Sequence, residues 1–236
     1  MQLNPAIRVG LHRFGSEGQP VMIVDHVLAE PGAMVEAAAK ADFYAPPHTN
    51  YPGLNANVPE SYYLTIIQAL RQPLEAAFGL SRNAYLDYFG YFGLSTTSLA
   101  EAAPAHKLPH VDCYDPNRLA MVHYFCRQDG FGGTGFFRQQ ATGYESVDQG
   151  RAKHYVDTVM AERAQPGLAE AGFPGSGMRH YDLIGEAENV FNRLIVYRSY
   201  ALHAPLLAPE GASADPRMGR LTANGFITPK PRSSDV

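Results

Sequence analysis

The rhythm of apolar and polar positions changes several times along this chain, and each change marks an element. Val21-Met22-Ile23-Val24-Asp25 is a short run rich in β-branched residues behind Pro20, which predicts a strand. Residues 30–41 are alanine-rich with a proline near the start, where its missing N–H does no harm, and predict a helix. Residues 43–58 are dense in proline and asparagine and predict a long loop. Pro59-Glu60 opens a second helix, with Tyr63, Ile66, Ile67 and Leu70 at helical spacing; Pro73 kinks or restarts it, and Gly79 stops it. From residue 84 the period shortens. Aromatics alternate with other residues over 84–95, which predicts a strand or a pair of strands. Residues 118–126 read as a strongly apolar strand, 130–135 as a turn and 135–138 as the return strand of a hairpin. Residues 146–170 go back to helical spacing through Val147, Tyr155, Val156, Val159 and Met160. Residues 190–200 predict one or two strands, 219–227 a last one, and 229–236 a polar, frayed tail. Helices first, then strands with a helical insertion, make an α+β protein whose main body is a β-sandwich or jelly roll.

Composition mostly excludes. The chain has 236 residues, 45% of them apolar, which suits one fairly large domain. A formal net charge of -4 gives nothing to draw it to nucleic acid or a membrane surface. No stretch approaches the ~20 apolar residues of a membrane span, and Met1-Gln2-Leu3-Asn4-Pro5 lacks the basic and apolar runs of a signal peptide. Cys113 and Cys126 are too few for a disulfide framework and fit a reducing, cytoplasmic compartment.

The candidate chemistry lies in Leu108-Pro109-His110-Val111-Asp112. In an extended segment His110 and Asp112 share one face, so one strand presents two metal ligands. A third must come from elsewhere, and His203 is the candidate. Two histidines and a carboxylate on one face of a metal, with other positions open, form the facial triad of non-haem Fe(II) oxygenases. The bland alternative has His110 capping a turn and Asp112 opening an Asx-turn through Asp115-Pro116-Asn117. His106 is a rival ligand, but Pro109 argues against the helix that would align it with His110. His123 and Tyr124 point opposite ways on one strand; if Tyr124 faces a pocket, His123 is structural. Gly132-Gly133 lacks the lysine and helix of a phosphate loop and suits a hairpin turn. His180 is expected in an exposed loop, and Cys113 buried, inert and turned from the Asp112 face.

Taken together, His110-x-Asp112, His203 and Arg220-x-Thr222 resemble the Fe(II)/2-oxoglutarate-dependent dioxygenases, nearest to the prolyl-4-hydroxylase-like branch. The contexts are similar too: residues 119–125 followed by Gly132-Gly133, and residues 193–199 followed by Leu202-His203-Ala204. The resemblance covers roughly residues 84–228 and is weak before them. It implies a double-stranded β-helix, a squashed jelly roll, with N-terminal helices over 1–83 buttressing it and a helical insertion at about 146–180. It implies that His110, Asp112 and His203 bind Fe(II), and that Arg220 pairs with the distal carboxylate of 2-oxoglutarate while Thr222 donates a hydrogen bond. Tyr124 is a second candidate for that carboxylate, and Arg198 and Arg193 are alternatives to Arg220. A guanidinium fork matches a carboxylate, and residues i and i+2 of a strand share a face, so the chemistry agrees. The implied reaction couples O2 and the oxidative decarboxylation of 2-oxoglutarate to hydroxylation of a C–H bond. Asp112 favours hydroxylation over halogenation, because halogenating relatives lack that carboxylate.

The substrate is expected to be a small molecule, an amino acid or a peptide, and the aromatic-rich surface leaves a homodimer open. Two other readings share the fold. One is a cupin-like metal-binding jelly roll with chemistry independent of 2-oxoglutarate. The other is a non-catalytic binding module.

Overall fold

The computed structural model describes residues 1–47, 51–127, 130–165, 172–209 and 212–231. Two antiparallel sheets form its body. The larger has seven strands in the order β1-β2-β8-β5-β10-β4-β3, the smaller three in the order β7-β6-β9. In chain order these are β1 (Arg8–Phe14), β2 (Gln19–Asp25), β3 (Gly53–Asn57), β4 (Tyr85–Ser95), β5 (Leu119–Tyr124), β6 (Thr134–Gln139), β7 (Tyr181–Ala187), β8 (Leu194–Arg198), β9 (His203–Pro205) and β10 (Arg220–Lys230). Helices α1 (Gly32–Ala38), α2 (Glu60–Phe78) and α3 (Gln149–Arg163) complete the fold.

The period-two pattern decides which face each side chain takes. Phe92 and Leu94 of β4, Leu119 and Met121 of β5, Leu194 and Val196 of β8, and Leu221, Ala223 and Ile227 of β10 pack with Tyr62, Ile66, Leu70 and Leu74 of α2. This is the main core, and fully burying each large side chain contributes about 1.5–3 kcal/mol. The alternate residues face the smaller sheet. Ala120, Tyr124, Ile195 and Tyr197 meet Phe136 of β6 and Ala187 of β7. Beyond the smaller sheet, Ala152 and Tyr155 of α3 pack with Phe137, Tyr181, Leu202 and Ala204. Asp148 caps α3 by accepting a hydrogen bond from the Arg151 N–H at 3.0 Å. The layers run helices, large sheet, small sheet, helix.

Several expectations change here. The segment 1–83 carries α1 and α2 but also gives β1, β2 and β3 to the large sheet. β3 lies within the expected loop, because edge pairing with β4 holds Asn55 opposite Gly93 despite the proline-rich surroundings. Pro73 does not restart α2, which is one helix from Glu60 to Phe78, followed by Gly79 in the left-handed conformation at φ 66°. β5 and β6 are not a hairpin. β5 pairs with β10 and β8, whereas β6 pairs with β7 and β9. The glycines at 132 and 133 serve a crossing between sheets: a Cβ on Gly132 would lie 2.2 Å from the Leu206 carbonyl, and one on Gly133 1.9 Å from that of Ala187. β10 continues through Pro229 to Lys230, into the expected tail; residues 232–236 lie outside the described residues. α3 stops at Arg163, and residues 166–170 of the expected helix also lie outside them. His180 is half-buried rather than exposed, with Nδ1 3.3 Å from Glu162 of α3.

His123, on the helix side of β5, is fully buried. Its Nδ1 accepts from the Tyr62 hydroxyl at 3.0 Å, and its Nε2 donates to Asn192 Oδ1 at 3.2 Å. Burial holds the ring neutral and pushes its pKa down to about 3 from 6.5. A group depressed in the folded state contributes stability above its unfolded pKa and loses it on acidification. Between pH 6.5 and about 3, the stability advantage of wild type over His123→Leu is therefore expected to shrink by about 1.4 kcal/mol per pH unit. Chemical denaturation across that window measures it, and a constant difference would mean that the folded protein accepts the proton.

Candidate metal centre

The segment carrying His110 and Asp112 adds itself to the small sheet beside β9. His110 and His203 form an antiparallel bridge in which each N–H donates to the other's carbonyl, both at 2.9 Å. Opposed residues of such a pair project to the same side, so the two imidazoles stand together, ring centroids 4.5 Å apart. Two residues on, the Asp112 N–H donates to the Ser199 carbonyl at 2.9 Å, which keeps the segment extended and returns the Asp112 side chain to the same face. The Asx-turn of the alternative reading exists, but it opens at Asp115, whose Oδ1 accepts from the Asn117 N–H at 2.9 Å.

Asp112 lies between the two rings. Its Oδ1 is 3.7 Å from His110 Nε2 and its Oδ2 is 3.6 Å from His203 Nε2. One ligand atom from each of the three residues lies within 4.8 Å of the others, the one such group among the described residues. Atoms bound to one ion at about 2.0–2.2 Å stand roughly 3–4 Å apart, so little contraction is needed. The His203 ring is already set as a ligand, because Nδ1–H donates to the Ala201 carbonyl at 2.9 Å and leaves the Nε2 lone pair toward Asp112. Tyr197 meets His203 edge-on at 4.7 Å between ring centroids and fixes the ring's tilt. His110 keeps about half of its side chain open, 48%. Even so, the surrounding protein and, next, the His203 imidazole hold its pKa below the ordinary value, so His110 is a neutral donor near pH 7. Two imidazoles and a carboxylate are the donor set that suits a non-haem Fe(II) site. His106 is elsewhere, its Nδ1 accepting from the Ala103 N–H at 3.2 Å.

Arg220 opens β10 and is buried, 3% exposed. Its Nε and Nη2 each donate at 3.0 Å, to the carbonyls of Gly132 and Gly133. Those bonds use the side of the guanidinium; at its Nη1/Nη2 end, among the described residues, Ser95 Oγ approaches at 3.4 Å from Nη1. The Gly133 carbonyl also accepts from the Leu206 N–H at 3.1 Å. Leu206 is three residues beyond His203, about 10 Å of extended chain. Tyr124 faces the same interior, in register with Thr222. Its hydroxyl is 2.7 Å from Thr134 Oγ1, its ring 5.9 Å from the Arg220 guanidinium, and burial pushes its pKa up to about 12. Thr222 donates to the Gly93 carbonyl at 3.3 Å.

The alternative arginines are committed elsewhere. Arg198 donates to the carbonyls of Pro116 and Phe78, at the end of α2. Arg193 pairs with Asp25 at 2.7 Å. Cys113 is only half-buried, contrary to expectation, with Sγ 3.8 Å from the Asp115 carbonyl. Sequence reasoning misses Tyr51, Ser95, Tyr197 and the diglycine carbonyls. Tyr197 is within its reach: 195, 197 and 203 fall on inward positions once His203 is placed. Tyr51 has no such signal, since it reaches Ser95 (3.2 Å between hydroxyls) from an irregular loop.

Comparison with known proteins places the chain in a family. The model of the family of unknown function DUF6445 matches residues 5–227. The chain belongs to that family. A search of curated proteins finds no match for this DUF6445 member. Among solved structures it is similar to an N-substituted L-amino acid dioxygenase from Burkholderia ambifaria AMMD in complex with alpha-KG. That likeness has 10% identity and a TM-score of 0.42 and covers 95% of this chain and 98% of that one. A second structure of that dioxygenase matches at 10% identity and a TM-score of 0.41 over the same shares. At that distance no residue role carries across.

Proposed function

We propose that this protein is an Fe(II)- and 2-oxoglutarate-dependent oxygenase that hydroxylates a C–H bond, akin to the prolyl-4-hydroxylase-like branch. The observation that carries the reading is the convergence of His110, Asp112 and His203, with the His203 tautomer set by the Ala201 carbonyl. The strand order supports a double-stranded β-helix. The β4-β10-β5-β8 run of the large sheet faces the small sheet, to which the His110 segment adds a further strand beside β9. His110, Asp112 and His203 would hold the iron, which when bound supplies the activation of O2. Arg220, steadied by Gly132 and Gly133, would grip the distal carboxylate of 2-oxoglutarate through its Nη1/Nη2 end, with Tyr124 and Thr222 beside it. Tyr197, buried against His203, restricts water around the reacting atoms.

Purified protein supplied with Fe(II), ascorbate and 2-oxoglutarate is expected to release succinate even without a substrate, through uncoupled turnover. Absence of succinate, with iron bound, would leave a metal-binding jelly roll of other chemistry. Arg220→Ala is expected to raise the 2-oxoglutarate concentration needed for half-maximal release by about tenfold or more, while iron affinity stays the same. An unchanged requirement would take Arg220 out of the co-substrate seat.

No helix of the described residues is long and apolar enough to cross a membrane.

A further inference from the structure

Arg118, the residue before β5, is a cation with no counter-charge paired to it among the described residues. It is half-buried, and its Nε is buried with no hydrogen-bond partner. Its guanidinium lies over the Phe226 ring at 4.3 Å, and among the described residues no hydrogen bond or ion pair holds the group. The buried Nε is left without a partner while the rest of the half-buried guanidinium keeps its donors for a ligand, and a planar fork of this kind suits a carboxylate. Its place in the fold is specific. The Arg118 carbonyl accepts from the Ser199 N–H at 2.9 Å, and the Ser199 carbonyl accepts from the Asp112 N–H at 2.9 Å. Arg118 is therefore two backbone steps, about 10 Å, from the carboxylate ligand. It also projects from the inward face of the large sheet, because Phe226 does.

The surface around it is aromatic and open. Phe226 is in register with Phe89, which is 64% exposed. The Phe89 and Tyr91 rings are 5.9 Å apart, and Tyr91 stands within electrostatic reach of both Asp112 and Arg118. Ser199 Oγ, buried between Arg118 and Asp112, also has no partner. An unpaired guanidinium on one side and the triad on the other thus flank a floor of Phe89, Tyr91 and Phe226. Arg220 is separate from this group; its cleft is lined by Ser95, Thr97, Phe131 and Leu207.

We propose that Arg118 with Phe89, Tyr91 and Phe226 forms the seat of the oxidised substrate, and that this substrate is a small carboxylic acid with an apolar or aromatic body. The guanidinium takes the carboxylate through a bidentate pair, and the rings carry the body, which directs a C–H bond toward the triad. This assignment rests on the oxygenase reading for its chemistry, though not for its binding.

The test uses 3-phenylpropanoate and its amide as probes, titrated into the full chain with Zn(II) present and followed by NMR. The acid is expected to bind, and the amide to bind at least about tenfold more weakly. Arg118→Gln is expected to weaken the acid by about tenfold or more and leave the amide unchanged, with Arg118→Lys in between. Unfolding midpoints measured alongside show whether each variant is folded, with a small loss expected from the Phe226 contact. Repeating the titration in Asp112→Ala reads the seat without the metal, so failure of the metal site and failure of the seat give different results. Four outcomes would overturn the proposal: no binding of the acid at about 10 mM, equal binding of acid and amide, unchanged binding in Arg118→Gln, or displacement of the acid by 2-oxoglutarate.

Discussion

Asp112→Ala is expected to lower the affinity for Fe(II), or for Co(II) as its spectroscopic stand-in, by about a hundredfold or more. Loss of a group that merely orients a ligand already costs 10–100-fold, and Asp112 is the one charged group of the triad. It is also the central one, 3.7 Å from His110 Nε2 and 3.6 Å from His203 Nε2. Without it, two imidazoles hold a divalent ion from one side only. The fold should survive, because the backbone bonds at 112 and 110 do not involve the carboxylate. Cobalt absorption titrations with thermal unfolding alongside would show this. A variant with wild-type affinity would place the ligand set elsewhere, and one that fails to fold is replaced by Asp112→Asn, which keeps the shape and removes the charge.

Asn192→Ala carries the largest expected loss of stability, about 3–5 kcal/mol. Asn192 is 5% exposed, and its side chain ties together parts of the chain far apart in sequence. Oδ1 accepts from the Leu28 N–H at 3.0 Å and from His123 Nε2 at 3.2 Å, while Nδ2 donates to the Leu28 carbonyl at 2.9 Å. Truncation strands all three in a dry interior, each at about 1–3 kcal/mol before relaxation. The backbone adds to it: Asn192 sits at φ 64°, which asparagine tolerates better than alanine. Asn192→Gly should therefore fall between the two, relieving the backbone but not the bonds. Urea unfolding gives the values; a loss below about 1 kcal/mol would mean that water replaces the side chain.

What can be read from the sequence follows from how local the signal is. His110 and Asp112 are legible because a two-residue spacing on an extended segment needs no knowledge of the fold. The opposite orientations of His123 and Tyr124 follow from the same period, and the structure bears them out at Tyr62 and Thr134. His203 needs the resemblance, since nothing in its own neighbourhood marks it. β1 goes unseen because Arg8-Val9-Gly10-Leu11-His12-Arg13-Phe14 alternates weakly and both faces lie near solvent, so there is little pattern to read. β7 goes unseen because it begins at Tyr181, beside the left-handed His180 at φ 68°, with no apolar run to announce it. The false hairpin at residues 130–138 has a physical cause: glycine marks both tight turns and close backbone passages, and the sequence cannot separate them.

The bridge between His110 and His203 has one further consequence. The same pair of residues holds the last strand of the small sheet in place and supplies two of the three candidate ligands. Occupancy of the centre and fraying of that sheet edge are therefore linked equilibria, and each biases the other by the same free energy. Amide exchange at His110 and His203 should slow when a divalent ion is added, while amides of β2 or α2 keep their rates. The edge of the sheet would then act as the protein's own reporter of whether its centre is loaded.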